Sequence, residues 1–127
     1  MNFTTAIRTC LSKYATFSGR ATRSEFWWFY LFIILIDLAT AAIDSALDLD
    51  GVILDVDGFV SGLVHLALFL PSLAAGTRRL HDIGRSGWSQ LLIVIPILGW
   101  IVLVYWWTRP TQPVPNAYGD VPRHLTL

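Results

Sequence analysis

An all-α integral membrane protein with three transmembrane helices is the fold class this sequence predicts, and three observations lead there. The 127-residue chain is 54% apolar and only 14% charged, against about 25% charged in ordinary soluble domains. A soluble domain this short has too much surface to clothe with so few charges, and a bilayer as solvent removes the difficulty. Three apolar runs, residues 26–47, 59–75 and 88–107, reach the length that spans hydrocarbon, the second of them only at the short end of the range. Rings cluster at the ends of two of these runs: Phe26, Trp27, Trp28, Phe29 and Tyr30 open the first, and Trp88, Tyr105, Trp106 and Trp107 flank the third. Such rings favour the membrane–water interface. The length fits a single membrane domain over residues 1–127.

Residues 3–14 come first. Phe3, Ile7, Cys10, Leu11 and Tyr14 fall at helical spacing on one face, with Arg8, Ser12 and Lys13 largely on the other. This predicts an amphipathic N-terminal helix lying in the headgroup region, or one packed on the protein's own loops. No apolar core of the kind a signal peptide needs lies near the start, and cleavage at Ala39-Thr40-Ala41 is not expected. Gly19 breaks this helix, and Thr22 with Glu25 has capping-box spacing, so a new helix starts here.

That helix, residues 26–47, is about 33 Å long at 1.5 Å per residue. Asp37 and Asp44 lie on one of its faces. Asp44 is near the far end and can reach water. Asp37 is near the middle, where a charged Asp costs about 2.5–3.5 kcal/mol on insertion scales; it should face protein or be protonated.

Residues 48–58 repeat Asp-x-Asp-Gly without any Lys or Arg. They lack the third acid and distal Glu of an EF-hand loop, so a solvated acidic loop is expected. The second run, 59–75, opens with a Gly58-x-x-x-Gly62 pair that permits close helix approach. In a helical hairpin, His65 falls at a depth between Asp37 and Asp44. The expectation is one hydrogen bond from His65 to a carbonyl, with an intramembrane His–Asp pair as the alternative.

Residues 77–87 are read as a polar surface loop held between membrane-length runs. The third run, 88–107, carries Pro96 and Gly99 in its middle. They predict a kinked span; the alternative is a re-entrant hairpin buried in protein. The tail, 108–127, has four prolines and should run as turns over a surface. Three spans put the N-terminal segment and the 77–87 loop, with seven basic residues between them, on one side. The positive-inside rule places that side in the cytoplasm. A re-entrant third segment would bring the tail to it.

Four motifs, F-S-G-R-A-T-R-S-E-F-W-W (17–28), R-R-L-H-D-I-G-R-S-G-W (78–88), I-P-I-L-G-W (95–100) and N-A-Y-G-D-V-P (116–122), occur in this order. With them the chain resembles the domain-of-unknown-function family numbered 805, small bacterial inner-membrane proteins, over nearly its whole length. The resemblance implies an inner-membrane location and no established activity. It directs attention to Arg20, Arg23, Glu25, Arg78, Arg79, His81, Asp82, Arg85, Asn116 and Tyr118.

Arg20, Arg23, Arg78, Arg79 and Arg85, with His81 and Asp82 among them, make a candidate rim for an anionic phosphate group, above all a phospholipid head. Guanidinium groups grip phosphate as a fork, and basic pockets at the cytoplasmic ends of spans are a recurring lipid site. The alternative is that these arginines set topology and pair with Glu25 and Asp82. His81 and Asp82 could also act as base and orienting acid, but neighbours on a helix do not face each other, and no catalytic residue is assigned. Asp37, Asp44 and His65 could serve a proton relay in an oligomeric transporter, and an accessory subunit of a membrane complex is the other alternative. The lone Cys10 excludes an internal disulfide and a zinc site on paired cysteines. His65, His81 and His124 match no metal-ligand spacing, so no cofactor or metal is expected. Zero net charge gives no reason to expect a nucleic acid partner; the expected partners are membrane lipids, a second copy, or another membrane protein.

Overall fold

The computed structural model describes residues 2–47 and 58–122. The acidic repeats of residues 48–57 and His124 lie outside them. The described residues form helices α1 (Phe3–Ser12), α2 (Arg23–Leu47), α3 (Phe59–Asp82) and α4 (Leu98–Trp107), with a 3₁₀ segment, Gly87–Val94, between α3 and α4.

α1 is capped by the Asn2 side chain, which accepts from Thr5 N–H at 2.8 Å. It buries Ala6 and Cys10, chiefly against α2, and Phe3 meets Trp28 edge-on at 5.7 Å. The buried stripe is therefore displaced from the one the spacing suggested, since Leu11 and Tyr14 remain exposed. α2 begins at Arg23, three residues before the apolar run, because Thr22 Oγ1 caps the Glu25 N–H at 3.3 Å.

α2 and α3 pack side by side as a hairpin. At their far end Asp44 is buried and accepts from Val60 N–H, Ser61 N–H and the Ser61 hydroxyl at 2.6–2.9 Å. It thereby satisfies two of the orphan donors at the start of α3. Both helices are long and apolar enough to cross a membrane, and only 17% and 28% of their apolar windows are buried. Side chains such as Leu66, 75% exposed, point away from the other described residues. That is the reverse of a soluble core helix.

Two expectations change here. Residues 77–82 are not loop: α3 continues through Thr77 to Asp82 before it stops. Nothing in that stretch breaks a helix, and its charges find partners inside the fold. The helix ends at Gly84, φ +78°, in a Schellman motif: Arg85 N–H donates to Leu80 O at 2.9 Å and Gly84 N–H to His81 O at 3.0 Å.

The expected kinked helix over 88–107 is also absent, and the alternative reversal takes its place. The 3₁₀ segment ends at Val94, and the chain reverses through Ile95–Ile97 into α4. Leu98 N–H bonds to Pro96 O at 2.8 Å, closing a γ-turn with Ile97 at φ +67° and ψ −67°. α4 then runs back along the 3₁₀ segment. Trp100 Nε1 donates to Ile93 O at 2.9 Å, and Gly99 lies so close that a Cβ there would overlap the Leu92 carbonyl. Gly87 packs on Thr77 and the Trp107 carbonyl reaches Arg79, so both ends of the hairpin return to one level of α3. The core between α1, α2, α3 and α4 is aromatic. Phe26 and Phe29 are buried beside Cys10 and Ala75, with Trp27, Phe32, Ile33 and Trp107 around them.

Candidate functional site

At the end where α3 stops, Asp82 is fully buried and is the centre of an ion cluster. Arg20 Nε lies 2.9 Å from its Oδ1 and Arg79 Nη1 2.9 Å from its Oδ2, and the Thr111 hydroxyl donates to Oδ2 at 2.6 Å. The two arginines spend their remaining donors on main-chain carbonyls. Arg20 reaches Gln112 at 2.7 Å, Val114 at 3.0 Å and Gly119 at 3.2 Å. Arg79 reaches Trp107 at 3.0 Å and Ala21 at 3.3 Å, and also the carbonyl of Arg109. Arg79 thus sits on the C-terminal carbonyls of α4, where the helix dipole favours a cation. The cluster ties four pieces of chain together: the segment before α2, the end of α3, the end of α4 and the tail.

A second buried pair lies behind it. Arg78 Nη1 is 2.6 Å from Glu25 Oε1, and the Cys10 thiol contacts the same oxygen at 3.8 Å. Burial, with the Glu25 charge next in weight, pushes the Cys10 thiol up to about 11. Arg78 is fully buried, and among the described residues its Nε and Nη2 find no hydrogen-bond partner.

His81 and Asp82 do not act on each other. Asp82 turns to the arginines. His81 Nδ1 lies 3.0 Å from the Gly19 carbonyl, and its ring is stacked on Tyr118 with centroids 4.0 Å apart and planes within 1°. Asn116 makes that stack possible: its Nδ2 donates to His81 O at 3.0 Å and its Oδ1 accepts from Tyr118 N–H at 2.9 Å. Both tail-motif residues therefore meet the 77–87 segment directly.

The five rim arginines divide. Arg20, Arg78 and Arg79 are buried, while Arg23 and Arg85 are exposed. Arg23 Nη1 reaches Thr108 O at 3.4 Å. The Arg85 guanidinium lies 4.1 Å above the Trp106 ring. Arg109, just beyond the end of α4, joins them: its Nη1 is 2.9 Å from the Tyr105 hydroxyl. Arg85, Trp106, Arg109, Tyr105, Pro110 and Gln112 line a cleft of about 260 Å³. Among the described residues, none of Arg23, Arg85 and Arg109 has a carboxylate partner. No spacing in the sequence announces this trio, because three distant segments meet only through the reversal at Ile97.

The polar residues of the apolar hairpin sit apart from all this. His65 Nδ1 is 2.7 Å from Ser61 O, and its Nε2 is 3.2 Å from Asp37 Oδ1. The expected carbonyl contact is present, and Asp37 lies close by without a hydrogen bond to His65 among the described residues. Among the described residues Asp37 Oδ1 accepts no hydrogen bond. The two side chains are 60% and 35% exposed. Asp44 is not part of this pair. Among the described residues no group of three or more His, Cys, Asp or Glu is placed to hold a metal ion.

The model of the family "Protein of unknown function (DUF805)" matches residues 14–120. Inner membrane protein YhaI of Escherichia coli strain K12 is 40% identical over 113 residues, covering 89% of this chain and 91% of the relative. Inner membrane protein YhaH of the same strain is 33% identical over 113 residues, covering 89% and 92%. No solved structure matches the chain.

Proposed function

The chain belongs to the DUF805 family, and from that premise we propose that it is a non-enzymatic inner-membrane protein whose basic rim docks the phosphate of an anionic phospholipid. α2 and α3 cross the bilayer, and residues 87–107 enter and leave from the same side. The 3₁₀ segment spans about 16 Å and α4 about 15 Å, half the roughly 30 Å hydrocarbon core. The relatives' printed names support the inner membrane. The positive-inside rule puts the arginine end, and with it the tail, in the cytoplasm, with α1 on that surface.

The observation that carries the lipid reading is the cleft between Arg85 and Arg109. Two exposed guanidinium groups stand over interfacial rings, with Arg23 beside them and no acid among the described residues to neutralise them. Arg20, Arg78 and Arg79 hold the scaffold and leave the headgroup to these three. Native mass spectrometry of the purified protein with phosphatidylglycerol tests it. Retained lipid should fall at least about tenfold in Arg85→Ala/Arg109→Ala. Equal retention by that variant, or none by the wild type, would overturn the reading.

A second reading rests on the Asp37–His65 contact. An acid and an imidazole on the lipid-facing side of two spans are costly unless protein covers them. A second copy packed over Gly62, exposed and on the His65 face of α3, would cover them and place two such pairs together, as an oligomeric transporter requires. Oxidative crosslinking of Gly62→Cys in a Cys10→Ser background, in lipid, should give a covalent dimer; a persistent monomer removes this reading.

A further inference from the structure

A second cavity, independent of the arginine cleft, lies between α3, the 3₁₀ segment and the folded-back tail. It holds about 550 Å³, within the usual range of roughly 300–1,000 Å³ for small-molecule sites. Phe17, Leu73, Trp88 and Leu91 form its apolar wall, and His81, Thr77 and Ser86 its polar end. No Lys, Arg, Asp or Glu lines it. Gln90 forms the partition to a smaller aromatic-lined cavity of about 270 Å³. Its Nε2 donates to Thr77 Oγ1 at 2.6 Å and Leu73 O at 3.1 Å.

His81 supplies the specificity. The Gly19 carbonyl can only accept, so Nδ1 carries the proton of that 3.0 Å bond. His81 is buried and no carboxylate touches its ring, since Asp82 turns to the arginines. In that environment the ring stays neutral, and Nε2 is left as a hydrogen-bond acceptor. Among the described residues Nε2 has no partner. The parallel Tyr118 ring and the Asn116 hydrogen bonds hold the imidazole at this angle. His81 lines the cavity, and a ligand hydroxyl there would donate to Nε2 in place of water. Phosphate and carboxylate groups bring acceptors of their own and find no cation here.

We propose that this cavity binds an uncharged amphiphile through a hydroxyl group donated to His81 Nε2, with its hydrocarbon chain along Phe17, Leu73, Trp88 and Leu91. Such a ligand enters from the bilayer. It is chemically distinct from the anionic headgroup assigned to the Arg85–Arg109 cleft.

The test uses the full chain in phosphatidylcholine nanodiscs and a monoacylglycerol carrying a diazirine in its acyl chain. Photolysis should label peptides containing Leu73, Trp88 or Leu91. Unlabelled monoacylglycerol should compete at concentrations at least about tenfold below those of lysophosphatidic acid with the same chain. His81→Phe, which keeps the ring stack but not the acceptor, should abolish that preference. Leu91→Trp changes an exposed position, fills the cavity and should block labelling in a folded protein. Arg85→Ala/Arg109→Ala should leave labelling unchanged, which separates failure here from failure of the rim reading. Equal competition by the lysophosphatidic acid, labelling spread outside the cavity, or full labelling of Leu91→Trp would each overturn the proposal.

Discussion

Arg20 and Asp82 stand 62 positions apart in the chain and 2.9 Å apart in space, with side chains 2% and 0% exposed. This pair fastens the segment before α2 to the end of α3, and the rest of the Arg20 fork fastens the tail to both. Removing one partner of a buried pair leaves a buried charge uncompensated, at a cost of about 3–5 kcal/mol. Asp82→Ala should therefore be among the most damaging single changes. It should lower the detergent melting temperature sharply and open residues 109–122 to protease. Arg20→Ala in the same background should cost much less than it does alone, because the two losses overlap. Simple addition of the two would show that the contact contributes little.

Cys10 is predicted to be inert in the folded protein. Burial raises its pKa from the ordinary 9.0 to about 11, which corresponds to about 100-fold less thiolate at neutral pH. Alkylation by iodoacetamide at pH 7.5 should be at least that much slower than in the denatured chain. The sign follows from linkage: a raised folded pKa stabilises fully below about pH 9, and the contribution is lost as pH rises towards 11. Rapid labelling of native protein at pH 7.5 would contradict the burial of this face of α1.

The reversal at Pro96–Gly99 makes two opposite predictions. Gly99→Ala places a methyl against the Leu92 carbonyl and should destabilise by roughly 1–3 kcal/mol. Ile97 holds a positive φ, strained for a β-branched residue, and it is exposed. Ile97→Gly should be neutral or stabilising, whereas Ile101→Gly on the exposed face of α4 should cost about 1 kcal/mol. Thermal unfolding of the three variants checks this. Equal losses from both isoleucine changes would argue against the turn.

The side of the tail follows from the same reversal. Arg20 binds the Gly119 and Val114 carbonyls, and Asn116 binds the His81 carbonyl, so the tail shares a surface with residues 18–20. In a Cys10→Ser background, Ala117→Cys and Ser18→Cys should both resist a membrane-impermeant maleimide in intact cells and label once the membrane is opened. External labelling of the residue 117 position alone would restore a full third span and dismantle the site described above.

Much of this was legible in the chain. The 3.6-residue pattern, the Thr22 cap and the length of the apolar runs announced α1, α2 and most of α3. The charge on Arg78, Arg79 and Asp82 misled, because polarity reads as exposure until a partner is in view. Glu25 and Asp82 were available as partners, and pairing with them was the alternative to a lipid rim; what local sequence could not tell was that burial would be complete. Arg109 was missed as a site residue because its role depends on where α4 ends in space. Pro96 and Gly99 marked a break without giving its angle, since both residues permit a kink as readily as a reversal.

The sequence by itself determined an all-helical chain, with apolar runs long enough for a bilayer and basic residues gathered towards one end. These follow from composition and period, which act over a few turns. Only the tertiary structure decided which arginines hold the fold and which face outward, that α4 turns back, and that Tyr118 meets His81. The buried arginines and the Tyr118 stack depend on contacts between segments 28 to 99 residues apart, and the direction of α4 on the turn at Ile97. Their energies come from burial and charge pairing, which exist only once the chain has brought the partners together.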